Sequence, residues 1–127
     1  MEKHILVIDD EEAIRKLFRR VIETRDRHIH SAASGAEALE LLEQQPMDLI
    51  LLDLNMPGMD GADTLVTIRK THPTVPVFIV SGFGDAYRDR LGALREAGIE
   101  FATINKPVDK ERLRAVVNNV LAESAPR

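Results

Sequence analysis

The chain predicts an α/β fold: one doubly wound parallel sheet of five strands, in the order 2-1-3-4-5, with helices on both faces. Two observations lead there. Short apolar runs alternate with longer segments whose apolar residues recur at three- and four-residue steps, the pattern of parallel strands joined by right-handed crossover helices. The 127 residues, 44% hydrophobic and 30% charged, also suit one ordinary domain, long enough to bury a core and too short for two.

The first strand is read at His4–Ile8, a branched apolar run stopping at Asp9-Asp10. Glu11 and Glu12 open a helix, acidic where the dipole favours it, and Ile14, Leu17, Phe18, Val21 and Ile22 give it a sheet-facing stripe. His28–Ala32 alternates polar and apolar residues, as an edge strand does. A short helix follows from about Ala36 to Gln45, stopped by Pro46, because the residue before proline avoids helical geometry.

Asp48–Asp53 is the most hydrophobic run, fitting a central strand covered on both faces, and it ends on a carboxylate. The turn-rich stretch from Leu54 to Gly61 leads to a helix marked by Leu65 and Ile68 that ends near His72-Pro73. A fourth strand is read at Val75–Val80, closing on Ser81-Gly82, and its helix carries Leu91 and Leu94 before Gly98 caps it. The fifth strand covers about Phe101 to Ile104 and stops at Lys106-Pro107. Leu113, Val116, Val117, Val120 and Leu121 line the last helix. Residues 1–123 are read as one domain and 124–127 as a short tail.

Composition narrows the function. With no cysteine, disulfides, thiolate metal sites and cysteine nucleophiles are excluded. No apolar run approaches the roughly 20 residues of a membrane helix and the first residues show no signal-peptide pattern, so a cytoplasmic setting is expected. The net charge of -4 and the scattering of basic residues argue against a nucleic-acid surface. Arg19-Arg20 and Arg25 with Arg27 read as solvated positions. The four histidines, His4, His28, His30 and His72, read as structural or surface groups.

In a doubly wound sheet, ligands bind outside the carboxyl ends of the strands where the strand order reverses. Those ends bring Asp9, Asp10, Asp53, Ser81 and Lys106 together. Gathered carboxylates repel unless a cation or proton sits among them. A hard divalent ion with oxygen ligands, magnesium best of all, answers that repulsion and shares its site with phosphate oxygens. A lysine and a hydroxyl beside it are parts for phosphoryl transfer, with a carboxylate as nucleophile giving an aspartyl phosphate. Each piece alone has a plainer reading: Asp9-Asp10 a helix cap, Asp53 a loop cap, Ser81-Gly82 a turn, Lys106-Pro107 a strand end. Four strand ends agreeing at once favour the site.

Val7-Ile8-Asp9-Asp10-Glu11, Asp53-Leu54-Asn55-Met56-Pro57-Gly58-Met59-Asp60-Gly61, Ser81-Gly82 and Lys106-Pro107, in that order, resemble the receiver domain of two-component response regulators from about Lys3 to Ala122. The flavodoxin-like (βα)5 receiver fold has the strand order 2-1-3-4-5, so that order and the resemblance are one expectation.

The resemblance implies that Asp53 accepts a phosphoryl group from a phosphohistidine on a sensor histidine kinase or histidine phosphotransfer protein. It implies Mg2+ bound directly by Asp10 and Asp53, by Asp9 chiefly through water, and by the backbone carbonyl of Asn55. Ser81 and Lys106 would meet the phosphoryl oxygens. Phosphorylation would then reshape the face of the fourth helix, fifth strand and fifth helix toward an output partner, with no nucleic acid or membrane bound directly.

One position departs from the family. Receivers commonly carry Tyr or Phe three residues before the lysine, as a rotamer switch coupled to the hydroxyl residue, and here that position is Thr103, in a segment about one residue longer than usual. Strand alternation puts Phe101 on the same side as Thr103, making it a candidate to share the switching task. Two other functions compete: a receiver module excised from a regulator with a DNA-binding or enzymatic output domain, and an aspartate-nucleophile phosphatase. Haloacid-dehalogenase-like phosphatases carry Asp-x-Asp at the nucleophile, whereas Asn55 stands two residues after Asp53, so a signalling module rather than an enzyme is expected.

Overall fold

A computed structural model describes residues 2–53, 61–81, 85–105 and 109–124, with the side chains of all of these except residues 81, 85–88, 105, 123 and 124. Five strands alternate with five helices: β1 Lys3–Ile8, α1 Glu12–Ile22, β2 Arg27–Ala32, α2 Gly35–Gln44, β3 Leu49–Asp53, α3 Gly61–Thr71, β4 Val77–Ser81, α4 Asp85–Glu96, β5 Ala102–Asn105 and α5 Lys110–Ser124. The strands form one parallel sheet in the order β2-β1-β3-β4-β5, the predicted architecture.

Strand alternation divides the interior into two layers. Leu6, Ile8, Ile50, Leu52 and Ile79 point toward α2, α3 and Leu94 of α4. Ile5, Val7, Leu49, Leu51 and Val80 point toward α1 and α5. All five residues of β3 are buried, which explains why its sequence is continuously apolar. At the edge, β2 is only partly covered and tolerates four polar side chains on six residues.

The element ends follow from local chemistry. The Ser34 hydroxyl accepts the Glu37 N–H at 3.2 Å and caps α2, so that helix starts one residue before Ala36. Gly98, at φ 83°, takes the left-handed conformation that closes α4: its N–H reaches the Arg95 carbonyl and the Ile99 N–H reaches Leu94, both at 3.0 Å. Asp109 caps α5 by accepting the Arg112 N–H at 2.7 Å.

Four sequence expectations shift. β4 begins at Val77 rather than Val75 and runs through Ser81, because Pro76 has no N–H and contributes only its carbonyl, to the Ile50 N–H at 2.9 Å. β5 begins at Ala102, leaving Phe101 just outside the strand. β3 begins at Leu49, Asp48 instead exchanging hydrogen bonds with the His4 backbone. Leu17 is 38% exposed rather than part of the buried stripe, lying roughly a quarter-turn from the face centred on Phe18, Val21 and Ile22.

Arg69 near the end of α3 ties three segments together. Its guanidinium donates to the carbonyls of Glu100 at 2.8 Å and Val75 at 2.6 Å, and to that of His72 at 3.3 Å. Burial lowers its pKa, with Glu100 opposing the shift.

Candidate functional site

Sheet register sets the site. Ile8 pairs with Leu52 across β1 and β3, so Asp9 and Asp53, each the next residue along its strand direction, emerge level with one another. Asp53 pairs with Val80, and Ser81 pairs with Asn105. The carboxyl ends of the four strands therefore finish within two register steps, neighbouring strands never more than one step apart, and Lys106 is the next residue after Asn105.

Ligand oxygens of Asp9, Asp10 and Asp53 all lie within 4.8 Å of one another. Asp9 and Asp53 are buried, at 4% and 5% exposure, whereas Asp10 is exposed. Two carboxylates at the floor and one at the rim form an oxygen-donor set that fits a hard dication, and holding three anions so close without one is electrostatically costly.

Asp9 is fixed from three sides. Its N–H donates to the Ala32 carbonyl at 3.1 Å, its Oδ1 accepts the Glu11 N–H at 2.9 Å, and its own carbonyl accepts Arg15 Nη1 at 2.7 Å. The bond to Glu11 is the local turn that a cap reading of Asp9 foresees, and it coexists with the carboxylate cluster. Arg15 was not singled out from the sequence. Its signal was a cation near the positive end of a helix, a position that the dipole disfavours and that a nearby acceptor repays.

The backbone of Ser81 is the last residue of β4. Asn55 and Lys106 lie outside the described residues, and so does the loop that would carry any bond from Asn55. The switch candidates are placed. Thr103 pairs with Ile79 and is partly buried. Phe101 packs, partly buried, against the core layer that contains Ile79, and the Arg95 guanidinium of α4 lies 4.7 Å from its ring centroid. The two thus share a side of the sheet, with Phe101 in contact with α4.

No described helix is long and apolar enough to cross a membrane. The chain matches the family model of the response regulator receiver domain over residues 5–118. It is 34% identical over 123 residues to the transcriptional regulatory protein GlrR of Escherichia coli K12, covering 97% of this chain but 27% of that protein. It is 36% identical over 120 residues to the sensor kinase CckA of Brucella abortus, covering 92% of this chain and 12% of CckA. A crystal structure of a CheY-like receiver domain protein from Methanospirillum hungatei superposes with a TM-score of 0.84 at 27% identity, covering 97% of this chain and 96% of that one. The chain thus spans about a quarter of GlrR and about an eighth of CckA. Fold, strand-end chemistry and family match agree: the chain belongs to the response regulator receiver domain family.

Proposed function

We propose that this receiver domain, residues 1–123, takes a phosphoryl group on Asp53 from a phosphohistidine of a sensor histidine kinase or histidine phosphotransfer protein. The observation that carries the reading is the convergence of the Asp9, Asp10 and Asp53 carboxylates within 4.8 Å at adjacent strand ends. A carboxylate oxygen of Asp53 attacks phosphorus, the phosphorus–nitrogen bond of the donor breaks with its electron pair going to nitrogen, and the imidazole, which carries a proton on its other nitrogen, leaves neutral. Asp9, Asp10, Asp53 and the Asn55 carbonyl would hold Mg2+, which when bound supplies charge neutralisation for the phosphoryl oxygens. Ser81 donates a hydrogen bond to one of those oxygens and Lys106 pairs with another.

The domain acts by changing what it binds, and water slowly removes its phosphate without a further substrate. The change reaches α4, β5 and α5, where an output partner docks. Thr103 supplies no aromatic ring there, and the stacking of Arg95 on Phe101 supports Phe101 as the side chain that links β5 to α4. A cytoplasmic setting belongs to the same reading.

The test is intact mass after incubation with a small phosphodonor and magnesium. The wild type should gain one phosphoryl mass and Asp53→Asn none. No gain in the wild type, under conditions that modify other receivers, would overturn the proposal.

A further inference from the structure

At the end of the sheet opposite the carboxylates, arginines from two helices grip consecutive residues as the chain enters β5. Arg69 of α3 donates from Nε to the Glu100 carbonyl at 2.8 Å, and from Nη1 to the carbonyls of Val75 at 2.6 Å and His72 at 3.3 Å. The Arg95 guanidinium of α4 lies 4.7 Å from the Phe101 ring centroid. The same end of α4 holds the loop before Glu100, through the Gly98 N–H to the Arg95 carbonyl and the Ile99 N–H to the Leu94 carbonyl.

Strand pairing does not fix this pair of residues. It starts with Phe78 opposite Ala102, so Glu100 and Phe101 precede the ladder and owe their backbone position to other contacts. The bond from Arg69 to Glu100 is one such contact, and α3 is a firm base for it, with Gly61, Thr64, Leu65 and Ile68 buried. A guanidinium is planar and its donors point in fixed directions, so acceptors on separate segments are held at one mutual geometry. The two grips differ in strength. Arg69 is partly buried and Arg95 is exposed, and hydrogen bonds from a charged, partly buried donor hold better than a cation–π contact made in solvent. Glu100 is therefore the fixed point, and the Phe101 ring is the part that moves.

We propose that Arg69 is a positioning residue for the readout of phosphorylation: by holding the Glu100 carbonyl it sets the Phe101 ring against Arg95, and so against α4. This rests on the reading that phosphate on Asp53 changes α4 and β5. An Arg69 that served stability alone would leave the contact between Arg95 and Phe101 as it is when removed. A positioning Arg69 takes that contact with it.

Two readouts on the full chain separate these roles. In the unphosphorylated protein, the double-mutant cycle of Arg95→Met and Phe101→Leu is measured by chemical denaturation in the wild type, in Arg69→Lys and in Arg69→Gln. The coupling should fall to less than about half in Arg69→Gln and lie between the two in Arg69→Lys, which keeps the charge without the planar fork. Undiminished coupling would overturn the proposal, and Arg69→Lys carries the comparison if Arg69→Gln does not fold. The second readout follows Phe101 ring signals by NMR, alongside intact mass, after treatment with a small phosphodonor and magnesium. Wild type and variants should gain the same phosphoryl mass, while the ring signals shift in the wild type and shift clearly less in Arg69→Gln and Arg69→Lys. Equal shifts in all three, or unmoved Phe101 signals in phosphorylated wild type, would overturn the role of Arg69 alone. No phosphoryl mass in the wild type would instead overturn the reading on which that role rests, and the role with it.

Discussion

The carboxylates of Asp9 and Asp53 stand within 4.8 Å of each other, level at the ends of neighbouring strands because Ile8 and Leu52 pair one step earlier. Each is nearly fully buried, and Asp10 adds a third negative charge at the rim. The fold thus holds repelling groups together, and that cost turns into affinity for a cation.

Neutralising the rim should show this directly. Without magnesium, Asp10→Asn should be more stable than the wild type by roughly 0.5 kcal/mol, the modest size suiting an exposed group. Adding magnesium should stabilise the wild type more than the variant, so that thermal melts with and without the ion reverse or close the gap. A variant less stable than the wild type in chelator would mean that Asp10 is held by attractive contacts.

Arg15 should matter to metal affinity without touching the metal. Its bond to the Asp9 carbonyl fixes the backbone that carries the Asp9 carboxylate, and a partly exposed charged hydrogen bond contributes about 1 kcal/mol. Arg15→Ala should weaken magnesium binding several-fold in a titration, with Arg15→Lys recovering part of the loss.

At the other end of β5, the contact between Arg95 and Phe101 can be measured as a coupling. A double-mutant cycle of Arg95→Met and Phe101→Leu should give about 0.5–1 kcal/mol in chemical denaturation. If Phe101 links β5 to α4, Phe101→Ala should also reduce the difference in partner binding between the phosphorylated and unphosphorylated forms. Unchanged phosphorylation-dependent binding would leave Phe101 as packing only.

Acid should loosen the edge of the sheet. Burial, then the neighbouring His4, His28 and Arg19, lowers the folded-state pKa of His30 below the ordinary 6.5. Above that value His30 is neutral in both states. As pH falls below it, the unfolded chain takes the proton first, so folding stability declines until the folded form also protonates. The Glu2 carboxylate contacts His28 at 3.1 Å, and Asp48 engages the His4 backbone. Melting temperatures between pH 7.5 and 5.5 should fall by less in His30→Gln than in the wild type.

Much of the fold was legible in the sequence because its signals are local and periodic. The buried run before Asp53, the stripe of α5 and the capping Gly98 each announce themselves within a few residues. The carboxylate cluster was legible too, since topology alone gathers strand ends. What escaped depends on contacts between distant segments. Pro76 delays β4 because of the hydrogen bond it cannot donate, and Phe101 sits outside β5, where Arg95 stacks on it. His4 and His30 meet because two parallel strands pair in one register, which no short stretch encodes. Arg15 offered only a charge in an unfavourable position.

Chemical trapping identifies the residue that carries the phosphoryl group, proposed to be Asp53. After treatment with a phosphodonor and magnesium, borohydride reduction converts an aspartyl phosphate to homoserine, and peptide mass spectrometry locates it. Homoserine is expected at position 53, with positions 9 and 10 remaining aspartate. Homoserine at position 9 or 10, or an unmodified position 53 in protein that carries the phosphoryl mass, would contradict it.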